Sequence, residues 1–144
     1  MKRIAFTMIE LIFVIVVIGI LSAIAIPRFA ATRDDAQIAK GRSDVSAIRA
    51  AIVSERQGRL LQGDSSYIAS LDNNASTAEG QTIFGGSLLQ YGITTKSGNG
   101  HWMKTGTNAY TYTVMGDAVA FTYTQATGTF DCTHSNANCK RLTE

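Results

Sequence analysis

The sequence predicts an α+β protein, with one long N-terminal helix packed on a small antiparallel sheet of about three strands. Three patterns carry this. An unbroken apolar run occupies residues 11–26, apolar residues then recur at helical spacing as far as Ile52, and alternating segments between Tyr110 and Cys132 are punctuated by Gly116-Asp117 and Gln125-Ala126.

From Leu11 to Ile26 there are sixteen apolar or small residues, with only Gly19 and Ser22 as weak points. As a helix this run is about 24 Å long, and adding Phe6 to Ile9 makes it long enough to cross a bilayer. Lys2 and Arg3 precede it and would hold the N-terminus in the cytoplasm, while Arg28 and Arg33 on the far side weaken that bias. After Pro27 the pattern becomes amphipathic. Ile38, Val45, Ile48 and Ile52 mark one buried stripe among Arg33, Asp34, Asp35, Lys40, Arg42, Asp44, Arg49 and Glu55. The helix is expected to continue through Pro27 and to stop at Gly58, giving roughly fifty residues and about 75 Å from Phe6 to Gln57. Residues 59–108, rich in Gly, Ser, Asn and Thr, read as a long connection with one short helix near Ser87 to Tyr91. Tyr110 to Met115 and Ala118 to Thr124 read as a hairpin turning at Gly116-Asp117, and Thr127 to Cys132 as a third strand.

With the N-terminal helix set aside, the chain has material for one modest domain. Its formal charge of +2 disappears without Lys2 and Arg3, because thirteen basic side chains become eleven, equal to the eleven acidic ones. Net charge therefore gives no case for a polyanionic partner. Cys132 and Cys139 flank the polar segment Thr-His-Ser-Asn-Ala-Asn. In an exported domain they read as a disulfide closing a small loop; the alternative is a metal site of Cys132, His134 and Cys139, with His101 as a fourth ligand.

Glu10 is the residue that most constrains function, because it stands at the head of an otherwise membrane-grade apolar run. An acid in lipid costs about 2.5 to 3.5 kcal/mol on insertion scales, so such a residue usually has a partner. The segment around it, Lys2-Arg3, then Ala5-Phe6, then Phe6-Thr7-Met8-Ile9-Glu10-Leu11, followed by Gly19 and Pro27, resembles the class III signal of type IV prepilins and type II secretion pseudopilins. The residue before the junction is Ala5, where that family usually has Gly. The resemblance covers roughly the first thirty residues.

That resemblance implies a pilin-like fold and a division into a leader (1–5), a transmembrane and filament-core helix (6–27), an amphipathic half-helix (28–58) and a globular head (59–144). It also implies cleavage between Ala5 and Phe6, methylation of the Phe6 amine, and assembly roles for Glu10, Gly19 and Pro27. Glu10 would neutralise a neighbouring subunit's amine, and Gly19 and Pro27 would let the backbone between them unwind. The family pattern favours bridging of Cys132 and Cys139. Partners would be other copies or homologous subunits, a prepilin peptidase, a platform protein with its ATPase, and lipid before assembly. The chain would cross the inner membrane once, with its head in the periplasm.

Several other features have readings of their own. Arg28, Arg33, Lys40, Arg42, Arg49, Arg56 and Arg59 could form a stripe for nucleic acid, but acids interleave with them and aromatic platforms are missing, which favours a solvated or inter-subunit face. His101-Trp102 reads as a cap on the core or as a loop contact. No GxSxG, P-loop, HExxH or CxxCH motif is present, so neither catalysis nor a cofactor is expected. Two rival readings of the N-terminus remain. In one, Ala23-Ile24-Ala25 ends a secretory signal peptide and releases a soluble domain starting at Ile26; in the other, the helix is a plain single-span anchor for a binding head.

Overall fold

The computed structural model describes residues 6–86 and 88–144. Lys2, Arg3 and Ala5 lie outside them, as does Ser87. The fold is α+β: helix α1 (Met8–Leu61), strands β1 (Thr82–Ile83), β2 (Ile93–Thr94), β3 (His101–Gly106), β4 (Ala109–Val114), β5 (Asp117–Thr124) and β6 (Thr129–Cys132), and helix α2 (Ala137–Thr143). The chain forms two compact units, one ending at Asp35 and the other Ala36–Glu144, with the boundary inside α1.

The second unit, the head, is built on an antiparallel meander of order β3-β4-β5-β6, with β1 and β2 forming a separate antiparallel pair. Alternation along the meander places Trp102, Tyr110, Tyr112, Val114, Val119, Phe121, Tyr123 and Phe130 on one buried face. Against that face lies the α1 stripe anticipated from spacing: Val45, Ile48 and Ile52 are buried in the same cluster, with Ile38 half-buried beside it. Trp102 pairs with Tyr112 and Tyr110 with Phe121, so the register itself stacks aromatic residues beneath the helix. Gly41 is needed at this packing, because a Cβ there would fall 2.5 Å from the Tyr112 ring and 2.6 Å from Leu142.

The expected hairpin and following strand are present, with the turn one residue earlier than expected. Met115 and Gly116 both have positive φ (54° and 79°), the pair of left-handed residues that a two-residue turn compatible with strand twist requires.

Four expectations are corrected. The sheet has four strands, because His101–Gly106, read as part of a connection, forms β3. No helix forms over the described part of Ser87–Tyr91; Leu89 instead bridges Gly85 and donates its N–H to the Phe84 carbonyl (2.9 Å), a turn set by positive φ at Phe84 and Gly86. The residues from Ala137 onward form α2, whose N-cap Asn136 accepts from the backbone of Asn138 (2.7 Å) and Cys139 (3.4 Å). Finally, α1 passes through Gly58 and ends at Leu61. There Asp64 N–H donates to the Arg59 carbonyl (2.9 Å) and Gly63 N–H to the Leu60 carbonyl (3.1 Å), with Gly63 at φ 85°. Those paired bonds are a Schellman stop centred on Gly63.

The two glycines therefore have opposite requirements. Gly58→Ala, in open helix surface, should stabilise the head by about 0.5 to 1 kcal/mol, whereas Gly63→Ala should cost about 1 to 2 kcal/mol. Denaturant titration of the detergent-solubilised chain reads both signs. The same titration should show Ile48→Ala costing about 2 to 5 kcal/mol through the cavity left under the sheet.

Candidate functional site

The first unit presents a long apolar surface that is exposed among the described residues. Met8–Ile26 is long and apolar enough to cross a membrane, and none of it is buried. Phe6, Ile9, Phe13 and Ile24 are 60 to 80 % exposed, a state costly in water at about 25 cal/mol per Å². Gly19 has open space where a Cβ would stand, so nothing among the described residues demands glycine there. Pro27 falls within the helical span, and its side chain lies outside the described part.

At the head of this helix, Glu10 has a local role that the sequence reading missed. Thr7 is the N-cap: its hydroxyl accepts from Glu10 N–H (3.3 Å), and the Glu10 carboxylate accepts from Thr7 N–H (2.9 Å) and from Thr7 Oγ1 (2.8 Å). This is a reciprocal capping box, and its signature, Thr followed three residues later by Glu before an apolar run, was legible as Thr7-Met8-Ile9-Glu10. It satisfies helix N–H groups that lipid would leave bare. The carboxylate borders a shallow apolar groove lined by Phe6, Ile9, Phe13 and Val14.

In the head, the expected site residues go to separate places. Cys132 and Cys139 are joined in a disulfide, with Cα atoms 5.9 Å apart, and so are not thiolate ligands. His134 instead contacts Asp131 Oδ1 (3.1 Å), and His101 lies at the start of β3, its pKa lowered by burial and by Lys40 and Lys96. Trp102 is fully buried and donates its indole N–H to Asp44 (3.0 Å), which places it in the core. Asp44 is raised by its own burial against that bond.

Five of the seven basic residues of the supposed stripe are engaged on the head itself, whereas Arg28 and Arg33 lie exposed in the first unit. Lys40 donates to the Gly100 carbonyl (2.6 Å), Arg42 to the Arg141 carbonyl (2.7 and 3.1 Å), and Arg49 to the Phe130 carbonyl and to Asp131 (both 2.9 Å). Arg56 contacts the Tyr67 hydroxyl, and Arg59 pairs with Glu55 and Asp64 (both 3.3 Å). These contacts spread the guanidinium groups among carbonyls, a phenol and carboxylates across the head.

One buried polar cluster had no counterpart in the sequence reading. Asp72 receives Lys104 Nζ (2.5 Å) and the Tyr110 hydroxyl (2.5 Å) on separate oxygens, beneath Phe84. Burial first, then the hydrogen bond and charge of Asp72, raises Tyr110 far above the usual phenol range. Tyr112, whose hydroxyl donates to the Gln37 carbonyl (2.6 Å), is pushed up to about 12, by burial first and then by Asp44.

No family model, curated protein or solved structure matches this chain.

Stability at high pH follows from the two tyrosines. Below about pH 10 both states keep the phenol protons, so neither residue gives a pH dependence. Between about pH 10 and 12 the unfolded chain releases them first, binds fewer protons than the native state, and gains on it. Denaturation midpoints should thus fall above about pH 10, and Tyr112→Phe should reduce the slope of that fall. Separately, replacing both Cys132 and Cys139 by Ala should cost roughly 2 to 3 kcal/mol, the chain-entropy value for so short a loop, in a denaturant titration under oxidising conditions.

Proposed function

We propose that this chain is a structural subunit, a pseudopilin or minor pilin, of a type IV-type filament assembled from the inner membrane. The observation that carries the proposal is Glu10: a lone carboxylate at the capped start of an uncovered, membrane-length helix, set in a prepilin-like segment. The exposed surface of Met8–Ile26 needs lipid or other apolar helices around it. A membrane alone would meet that need without any acid.

In this reading the leader is cut between Ala5 and Phe6, the Phe6 amine is methylated, and the membrane peptidase leaves the helix in place. The new amine is a positive charge near the start of an apolar helix, one turn from Glu10. In a staggered bundle, Glu10 of one subunit meets the amine of its neighbour, and each removes the cost of burying the other. Other registers leave both charges unpaired. The head, closed by its own core and disulfide, stays outside the bundle. The filament serves protein secretion, surface attachment and motility, or DNA uptake, and a platform protein and ATPase supply the work.

Intact-mass and N-terminal peptide analysis of protein from native membranes tests the processing step. A methylated Phe6 start is expected; an Ile26 start would make the chain a released soluble protein, and an intact Met1 a plain anchor. Glu10→Ala should insert into membrane normally yet lower filament yield at least tenfold, since the one amine it leaves unpaired, at about 2.5 to 3.5 kcal/mol, exceeds the 1.4 kcal/mol of a tenfold change. Normal filaments from that variant, seen by shearing and electron microscopy, would remove the pairing mechanism.

A further inference from the structure

The head holds one buried ion pair among the described residues, and the filament reading makes no use of it. The side chains of Asp72 and Lys104 are only 2 % and 5 % exposed, with Lys104 Nζ 2.5 Å from Asp72 Oδ1. Both carboxylate oxygens are already polarised, Oδ1 by Asn74 N–H (3.0 Å) and Oδ2 by the Tyr110 hydroxyl (2.5 Å). Lys104 also donates to the Asn74 carbonyl, which fixes the amine beside the carboxyl group. Lys104 and Tyr110 are direct partners across β3 and β4, so the sheet register holds the nitrogen and the phenol on the same carboxylate. A cleft lined by Ser70, Asn73 and Thr107 opens onto the pair.

We propose that Lys104 and Asp72 condense to an intramolecular isopeptide bond. Burying two separate charges is costly, and proton transfer from Nζ to Oδ1 leaves a neutral amine and a neutral acid in contact. The amine lone pair attacks Cγ from hydrogen-bonding range, where fixed orientation replaces a chance encounter. Charge developing on Oδ2 is met by the Tyr110 hydroxyl. The Nζ–Cγ bond forms, the Cγ–Oδ1 bond breaks, and Oδ1 takes a second proton from the nitrogen and leaves as water through the cleft. No oxidant, metal or co-substrate enters the balance. The product ties the segment after α1 to edge strand β3 by a covalent bond lacking either charge. Tyr110 is a positioning and polarising residue in this step, and Lys104 is the nucleophile.

The test is the mass of the full chain purified in detergent, counted from whichever N-terminus it carries, so that the result is independent of leader processing. The expected chain is lighter by one water than its disulfide-bonded sequence. Trypsin should fail to cut after Lys104, and tandem mass spectrometry should find a branched peptide joining 60–96 to 97–140. Asp72→Asn should lose ammonia in place of water, and Lys104→Arg, which keeps the charge, should carry the full mass. Tyr110→Phe should accumulate product about a hundredfold more slowly in a chase after synthesis, as expected for loss of an oxyanion donor. A wild-type chain of full mass overturns the proposal. So does a water loss confined to a linear peptide at Asp72-Asn73, which would be closure onto the backbone, or a loss that persists in Lys104→Arg.

Discussion

The head depends on the contact between one aliphatic stripe and one aromatic face. Val45, Ile48 and Ile52 supply the stripe, and Trp102, Tyr110, Tyr112, Phe121 and Phe130 supply the face. Phe121 stacks on Phe130 with centroids 5.2 Å apart, and Phe84 meets Trp102 edge-on at 5.9 Å, so the layer is filled by ring-on-ring contact as well as by the helix. Ile68, Leu71, Ile83, Leu88, Val114, Val119 and Leu142 belong to the same cluster, in which rings are the minority. Large rings bury much surface per residue, and this compensates for their small number.

Rings with polar tips impose a second requirement, and the head meets it by placing each tip at the edge of the layer. Trp102 reaches Asp44, Tyr112 the Gln37 carbonyl, Tyr123 the Ile68 carbonyl (2.8 Å) and Tyr110 the Asp72 carboxylate. The Tyr110 contact draws Lys104 inward and brings the 70–74 segment against β3. Asn108 serves the same segment from the neighbouring turn, accepting from Leu71 N–H (3.2 Å) and donating to the Ala69 carbonyl (2.8 Å). An irregular stretch without repeating structure is thereby held by side chains of the sheet.

The N-terminal unit is organised on the opposite principle. Its apolar segment Met8–Ile26 is unburied among the described residues, and the one acid of that segment, Glu10, is satisfied locally by Thr7. A helix that is apolar on every side is stable only where water is absent, so the surroundings of this unit must come from outside the chain.

Much of this architecture could be read from the sequence where the signal is local. The membrane-length helix, the stripe at Val45, Ile48 and Ile52, and the alternation over β4 to β6 all follow from periodicity within a few residues, and the structure has them. Strand β3 escaped because Lys104 sits at an inward position and breaks the apolar pattern; Asp72, which makes that lysine tolerable, lies 32 residues away. Helix α2 escaped because only Cys139 and Leu142 of its seven residues are buried, and its start rests on the Asn136 cap. The choice of Gly63 over Gly58 as the end of α1 was likewise invisible, since both are glycines and only backbone conformation separates them. The sequence by itself determined which segments must leave water, because hydrophobic periodicity is a property of neighbouring residues. Tertiary structure alone decided which polar groups could follow them inside, because a buried charge is tolerated only by a partner that folding brings from elsewhere in the chain.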